Sequence, residues 1–238
     1  MAPSQPLPDD ASAWRRHLHA DGYGYGWLLV LILVSISFQL AAPDTDLARV
    51  VTIFLVGGTL LASLRVSGAP RWLIRIATIV TVLAVVGATG VLISSGEVDD
   101  GAGRLLGLLF VVLAPTGIVV GIVRQAKRLG RITVRTMFGV LCVYLLVGSA
   151  FAFAYGLISA AESTDFFPQV AVATQSDFLY FSFVTLTTTG FGDLTAATDL
   201  GRSLAITEAL IGQIYLVTVV ALIVTNISPG QVRRPDSP

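Results

Sequence analysis

Charge is scarce in this chain. Asp, Glu, Lys and Arg make up 13% of the 238 residues, and the 15 basic and 15 acidic side chains cancel to a formal net charge of zero. No basic patch of the kind that tracks a phosphate backbone stands out, and no nucleic-acid partner is expected. Cysteine is nearly absent. Cys142 alone excludes an intrachain disulfide and a cysteine-rich metal site, and it reads as a small core residue of a helix. His17 and His19 are the two histidines, and they lie in a polar N-terminal segment with no third ligand type nearby, so a metal role is not expected of them. No constellation of nucleophile, base and orienter appears, and the chain reads as non-enzymatic. What fills the space is apolar. Hydrophobic residues reach 54% and mean hydropathy is +0.80, far above the soluble norm, which makes this an integral membrane protein.

A helix needs about 17 to 25 apolar residues to cross ~30 Å of hydrocarbon. Six stretches qualify, near 26–42, 48–65, 72–95, 105–123, 134–160 and 201–227. Between the last two lies a shorter apolar piece, about Ser176 to Thr187, which is too short to span and suits a re-entrant helix. Thr174 followed by Asp177 forms a candidate capping box at its start, and the negative C-terminal end of the helix would face the centre of any pathway. The first apolar segment sits behind about 25 polar residues and has spanning length, so it is not a cleavable signal.

The loops alternate in sign. Arg15 and Arg16, then Arg65 and Arg71, then Arg124, Lys127, Arg128, Arg131 and Arg135, and finally Arg233 and Arg234 fall on one side. Asp44 and Asp46, then Glu97, Asp99 and Asp100, then Glu162 and Asp165 fall on the other. By the positive-inside rule both termini are cytoplasmic and the loop after the short helix enters from outside. The near-exclusive use of arginine over lysine points to a bacterial source of high GC content.

Thr185, Leu186, Thr187, Thr188, Thr189, Gly190, Phe191, Gly192 and Asp193 resemble the selectivity filter of potassium channels. In that family four chains each turn a row of backbone carbonyls inward to replace an ion's hydration shell. Such a row needs alternate residues at positive φ, which glycine tolerates, and Gly190 and Gly192 fill those places. The resemblance implies ion-facing carbonyls on Thr188, Thr189, Gly190 and Phe191, a Gly192 that completes the filter, and a Thr188 hydroxyl forming the innermost ring. Asp193 would stand at the outer mouth. From about Arg135 onward the chain resembles the pore module of six-helix potassium channels: outer helix, pore helix, filter, inner helix. Tyr180, Phe181 and Ser182 correspond to the cuff that packs around the filter, Gly201 and Arg202 to the outer start of the inner helix, and Gly212 to a gating hinge. A small residue packed closely against a neighbouring helix is an equal reading of Gly212.

The expected architecture is therefore an all-α membrane protein with six transmembrane helices plus a re-entrant pore helix and filter, working as a homotetramer in the cell membrane. Its organisation would be a cytoplasmic segment over 1–25, a four-helix voltage-sensor-like domain over 26–130, a pore domain over 131–228 and a short tail over 229–238, with no cytoplasmic ligand-binding domain. Potassium ions in the filter and the lipid bilayer are the expected partners, and no organic cofactor is. The stretch 105–123 carries no charge, and no acid lies between Val50 and Ile93, so conventional voltage sensing is not expected. The basic run from Arg124 to Arg131 reads as an interfacial linker facing headgroups. Pro115 and Gly117 would loosen the fourth helix.

Two filter positions depart from the commonest family pattern: Phe191 replaces Tyr, and Thr189 stands where Val is usual. The lost hydroxyl would leave the filter less firmly held, which leads to the expectation of gating at the filter. Glu208 is the acid inside a membrane helix, expected to be neutral or paired, at a depth near the short helix, with hydroxyls of Thr185, Thr187 or Tyr180 as candidate partners; a proton-sensitive brace is its candidate role, and a satisfied, protonated interhelical hydrogen bond is the alternative. Gln213 and Tyr215 line or flank the cavity, with no face assigned. A less selective cation channel and a nonconducting membrane sensor or scaffold are the alternatives. A transporter built of four pore-like repeats would need four filter loops, and one is present.

Overall fold

A computed structural model describes residues 23–43, 45–95, 105, 107–116, 118–120, 134–162 and 164–226. Among the described residues the secondary structure is helical, with no strand. Helix α1 covers Tyr23–Ala41, α2 Asp46–Val66 and α3 Arg71–Ser95. A shorter apolar helix, α4, runs Gly107–Val120. Then follow α5 over Val134–Ala161, α6 over Gln175–Leu186 and α7 over Asp199–Asn226.

The observed ends fall within a few residues of the apolar stretches read from the sequence, because chain polarity changes sharply there. At α2 the chemistry of both ends is visible. The Thr45 side chain accepts from the Ala48 amide, Asp46 lies in the first turn and Arg65 in the last, each charge complementing the helix dipole. Among the described residues four helices are long and apolar enough to cross a membrane, namely Gly24–Ala41, Asp46–Val66, Arg71–Gly90 and Met137–Ala161. α4 is below that length as described, and residues 121–123 of the predicted fourth span lie outside the described residues. So do Arg124, Lys127, Arg128 and Arg131, which carry the linker expectation, and the segments 1–22 and 227–238. α7 has the length, with 28 residues, but carries Glu208 and Gln213 in its body.

Helices α1, α2 and α3 pack in sequence order, and α1 also packs on α5 and α6 of the same chain. α6 sits between α5 and α7. Its 12 residues span roughly 18 Å at about 1.5 Å per residue, too little to cross. An aromatic cluster holds one end of this unit. Phe166, Phe167, Phe178, Phe181 and Tyr155 are all buried, with Phe166 against Phe167 at 4.8 Å and Tyr155 against Phe181 at 5.1 Å, both edge-to-face. The loop after α6 is tied to the same cluster, since the Ala197 amide donates to the Phe166 carbonyl at 2.9 Å.

Candidate functional site

The short helix begins as its sequence requires. Thr174 accepts from the Asp177 amide through its hydroxyl, and the Asp177 carboxylate accepts from the Thr174 amide at 2.9 Å, so both halves of the capping box are present. At the other end the helix unwinds into the Thr/Gly segment through a ladder of backbone bonds. The Thr188 amide donates to the Thr185 carbonyl at 2.9 Å and the Thr189 amide to Val184 at 2.9 Å. Thr185, half-buried, thus serves the segment through its carbonyl.

Beyond that ladder the backbone changes character. φ is +55° at Thr188, +57° at Gly190 and +78° at Gly192, while Thr189 and Phe191 keep the ordinary sign. Alternation of left- and right-handed residues turns successive carbonyls to one side, where a β-strand would alternate them. No carbonyl from Thr188 to Gly192 accepts a hydrogen bond among the described residues, and every residue from Thr187 to Asp193 is exposed in the single chain. A row of unpaired carbonyl oxygens must find partners elsewhere. The two glycines were legible in advance; Thr188 was not. A β-branched residue in the left-handed region costs about 1–3 kcal/mol and persists only where its surroundings impose it.

Those surroundings are visible at both ends. The Thr188 hydroxyl donates to the Thr187 carbonyl at 2.7 Å and accepts from Gln213 Nε2 of α7 at 2.7 Å. Gln213 therefore belongs to the site, and its face, open in the sequence, is the one toward Thr188. Tyr215 turns the other way: its hydroxyl donates to the Val140 carbonyl of α5 at 2.5 Å. The Thr187 and Thr189 hydroxyls lie 2.8 Å apart, a bridge over the left-handed Thr188. At the other end of the segment Tyr180 of α6 donates to Asp193 Oδ2 at 2.7 Å, and Phe191 stacks on the Tyr180 ring at 6.5 Å with planes 7° apart. The expectation of a loosely held filter rested on the hydroxyl missing from Phe191. The α6 hydroxyl of Tyr180 ties the nearby Asp193 instead, so the far end of the segment does have an anchor. This bond holds the Asp193 carboxyl below the usual carboxylate range.

Gly212 lies where a side chain cannot fit. A Cβ there would collide with the Leu186 carbonyl at the end of α6. Close approach of α7 to α6 accounts for the glycine. Tyr144 of α5 donates to the same Leu186 carbonyl at 3.3 Å.

Glu208 is fully buried, level with α6 as its sequence position implied, but its partners are others than those read from the sequence. Tyr155 of α5 and Ser182 of α6 lie 2.5 Å from its two oxygens. Tyr180 is taken by Asp193, and Thr187 bonds back to the Phe183 carbonyl at 2.7 Å. Hydrophobic spacing places an acid at a depth in the membrane; which neighbouring hydroxyl reaches it depends on the rotation of two other helices.

Residues 139–228 match the ion channel family model. The match begins inside α5 and covers α6, the 188–192 row and α7. Over 92 residues the chain is 35% identical to the probable potassium channel protein 2 of Methanocaldococcus jannaschii, a region making up 39% of this chain and 24% of that protein. The chain thus spans about a quarter of the length of this relative. No solved structure matches it. An ion channel domain in a multi-pass, all-helical membrane protein is what the helices and these similarities have in common.

Proposed function

We propose that the chain is the subunit of a homotetrameric potassium channel whose filter is the 188–192 segment. The observation that carries this reading is the alternation of positive φ at Thr188, Gly190 and Gly192, which leaves five neighbouring carbonyls unpaired and exposed on a single chain. Four copies about one axis would face these rows to each other and give a dehydrated ion its oxygen cage, with the Thr188 hydroxyls as the innermost ring. The named relative, itself a probable potassium channel, supports the choice of ion.

In this reading α5 to α7 form the pore domain and α1 to α4 a sensor-like scaffold without conventional voltage-sensing arginines. Both termini are cytoplasmic, so the short helix enters from outside with its negative end toward the pore. Tyr180, Thr185, Asp193 and Glu208 support the filter from behind. Gly212 lets α7 approach α6 and is the cheapest place for α7 to bend.

Reconstitution of the purified protein in a planar bilayer tests this, with a potassium gradient followed by sodium replacement at both signs of voltage. A reversal potential that follows potassium supports the reading. A reversal potential indifferent to the replacement identifies a less selective cation channel, and absence of ion flux under every condition overturns conduction.

A further inference from the structure

Glu208 sits where three helices meet, and the atoms around it count protons. The Tyr155 hydroxyl donates to Oε2 at 2.5 Å. Ser182 Oγ lies 2.5 Å from Oε1 and, on its other side, 2.6 Å from the Gly148 carbonyl of α5. A hydroxyl carries one proton and a carbonyl none. If Glu208 were a carboxylate, Ser182 could donate either to it or to Gly148, and the remaining pair would be two bare acceptors closer than the usual ~2.7–2.8 Å of an O–H···O bond. A neutral carboxyl removes the conflict. Its own proton goes to Ser182, the proton of Ser182 goes to Gly148, and Tyr155 donates to the carbonyl oxygen of the acid.

The surroundings point the same way independently. Glu208, Tyr155 and Ser182 are buried to 0% exposure, and among the described residues no basic side chain acts on Glu208. An unpaired carboxylate at such a place in a membrane helix is costly. We propose that Glu208 is held as the neutral acid and is a positioning residue for α6. Its proton closes a directed chain, Tyr155 to Glu208 to Ser182 to Gly148, which clamps α6 between α5 and α7. Only the consequence for ion flux rests on the channel reading, because there α6 carries the filter. The clamp itself does not.

Infrared difference spectra of the purified full chain, wild type against Glu208→Gln, provide the direct test. The expected result is one neutral-carboxyl C=O band present in wild type and missing in the variant. A difference spectrum containing only carboxylate bands would overturn the proposal. In Ser182→Ala the same band should move to higher frequency, since the acid has lost its acceptor; an unmoved band also overturns it. Rescue provides the second arm. Glutamine keeps one donor for Ser182 and one acceptor for Tyr155, so Glu208→Gln should keep potassium flux within about twofold of wild type, whereas Glu208→Ala should lose roughly tenfold. Thermal unfolding of the same variants should show the same order, with Gln near wild type and Ala lower. Equal damage from Gln and Ala would sink the clamp. A wild type that conducts no potassium yet shows the neutral band and the unfolding order would refute the channel reading and leave the clamp standing.

Discussion

Polar side chains are spent differently in the two halves of this molecule. In α2, its C-cap and α3 the hydroxyls that find a partner bond to their own helix: Thr59 to Val56, Ser63 to Leu60, Ser67 to Ser63, Thr78 to Ile74 and Thr89 to Val85, all to carbonyls three or four residues back, while the buried Thr81 hydroxyl has none among the described residues. In α5 to α7 Ser149, Thr207 and Thr218 do the same, but a second set bonds across elements: Tyr155 to Glu208, Ser182 to Gly148, Tyr144 to Leu186, Tyr215 to Val140, Tyr180 to Asp193 and Gln213 to Thr188. Packing differs in parallel. An apolar cleft of about 440 Å³, lined by Leu60, Leu64, Leu73, Ile76, Phe110 and Leu113, lies between α2, α3 and α4. Around α6, by contrast, the rings of Tyr155, Phe166, Phe167, Phe178 and Phe181 pack on one another, with centroids 4.8–6.2 Å apart. A helix that only has to sit in lipid can satisfy a hydroxyl on its own backbone, and this costs nothing in geometry. A segment held in a strained conformation needs partners on other helices, each fixing one direction. The lesson is that cross-element polar bonds mark where position matters, and that local ones do not.

The strongest attempt to break this contrast is Gly190→Ala. With φ at +57°, each copy of the chain would bear about 1–2 kcal/mol of left-handed strain, and, if the chain conducts as proposed, potassium flux should fall by two orders of magnitude or so while the helical signal in circular dichroism is kept. Flux at the wild-type level would remove the 188–192 row from the pathway. Next in size is Gln213→Leu, which strips the inner support from Thr188. Flux or potassium-dependent thermal protection should drop roughly tenfold, in line with one lost cross-element bond to a strained residue. If leucine is silent, the bond is incidental.

At the Asp193 end of the row the effect is smaller and depends on pH. Tyr180 favours the ionised form of Asp193, so this stabilisation is complete above the ordinary aspartate pKa of about 3.9 and disappears as pH falls through the lowered value of the folded protein. Tyr180→Phe should remove that acid-dependent part of the melting curve, and a curve identical in the two proteins would dismiss the anchor. The smallest effect sharpens the comparison from the other side. Thr78→Val removes only a bond within its own helix, and stability should change by no more than ~0.5 kcal/mol by thermal melting. A loss as large as that of the Gln213 variant would erase the distinction between the halves.

Much of this was legible in the residues alone. Hydropathy placed α1, α2, α3, α5 and α7 to within a few residues, and Thr174 with Asp177 marked the start of α6, because an apolar run and a cap act within one segment. Gly190 and Gly192 announced positive φ for the same reason. Thr188 did not, since no residue type other than glycine advertises that conformation and the bonds imposing it come from Gln213, 25 residues away. The partners of Glu208 were misread on similar grounds, Tyr155 being 53 residues distant and Ser182 26.

Composition, period and local spacing therefore determined by themselves that this is a helical membrane protein with one short helix leading into a Thr/Gly row, since burial in lipid and backbone sterics act residue by residue. Only the tertiary structure decided that Glu208 reaches Ser182 and Tyr155, that Gln213 and not Tyr215 turns to the row, and that Gly212 gives way to the Leu186 carbonyl. Each of these depends on the relative rotation of packed helices, and a hydrogen bond that weakens within a fraction of an ångström responds to that rotation while hydropathy does not.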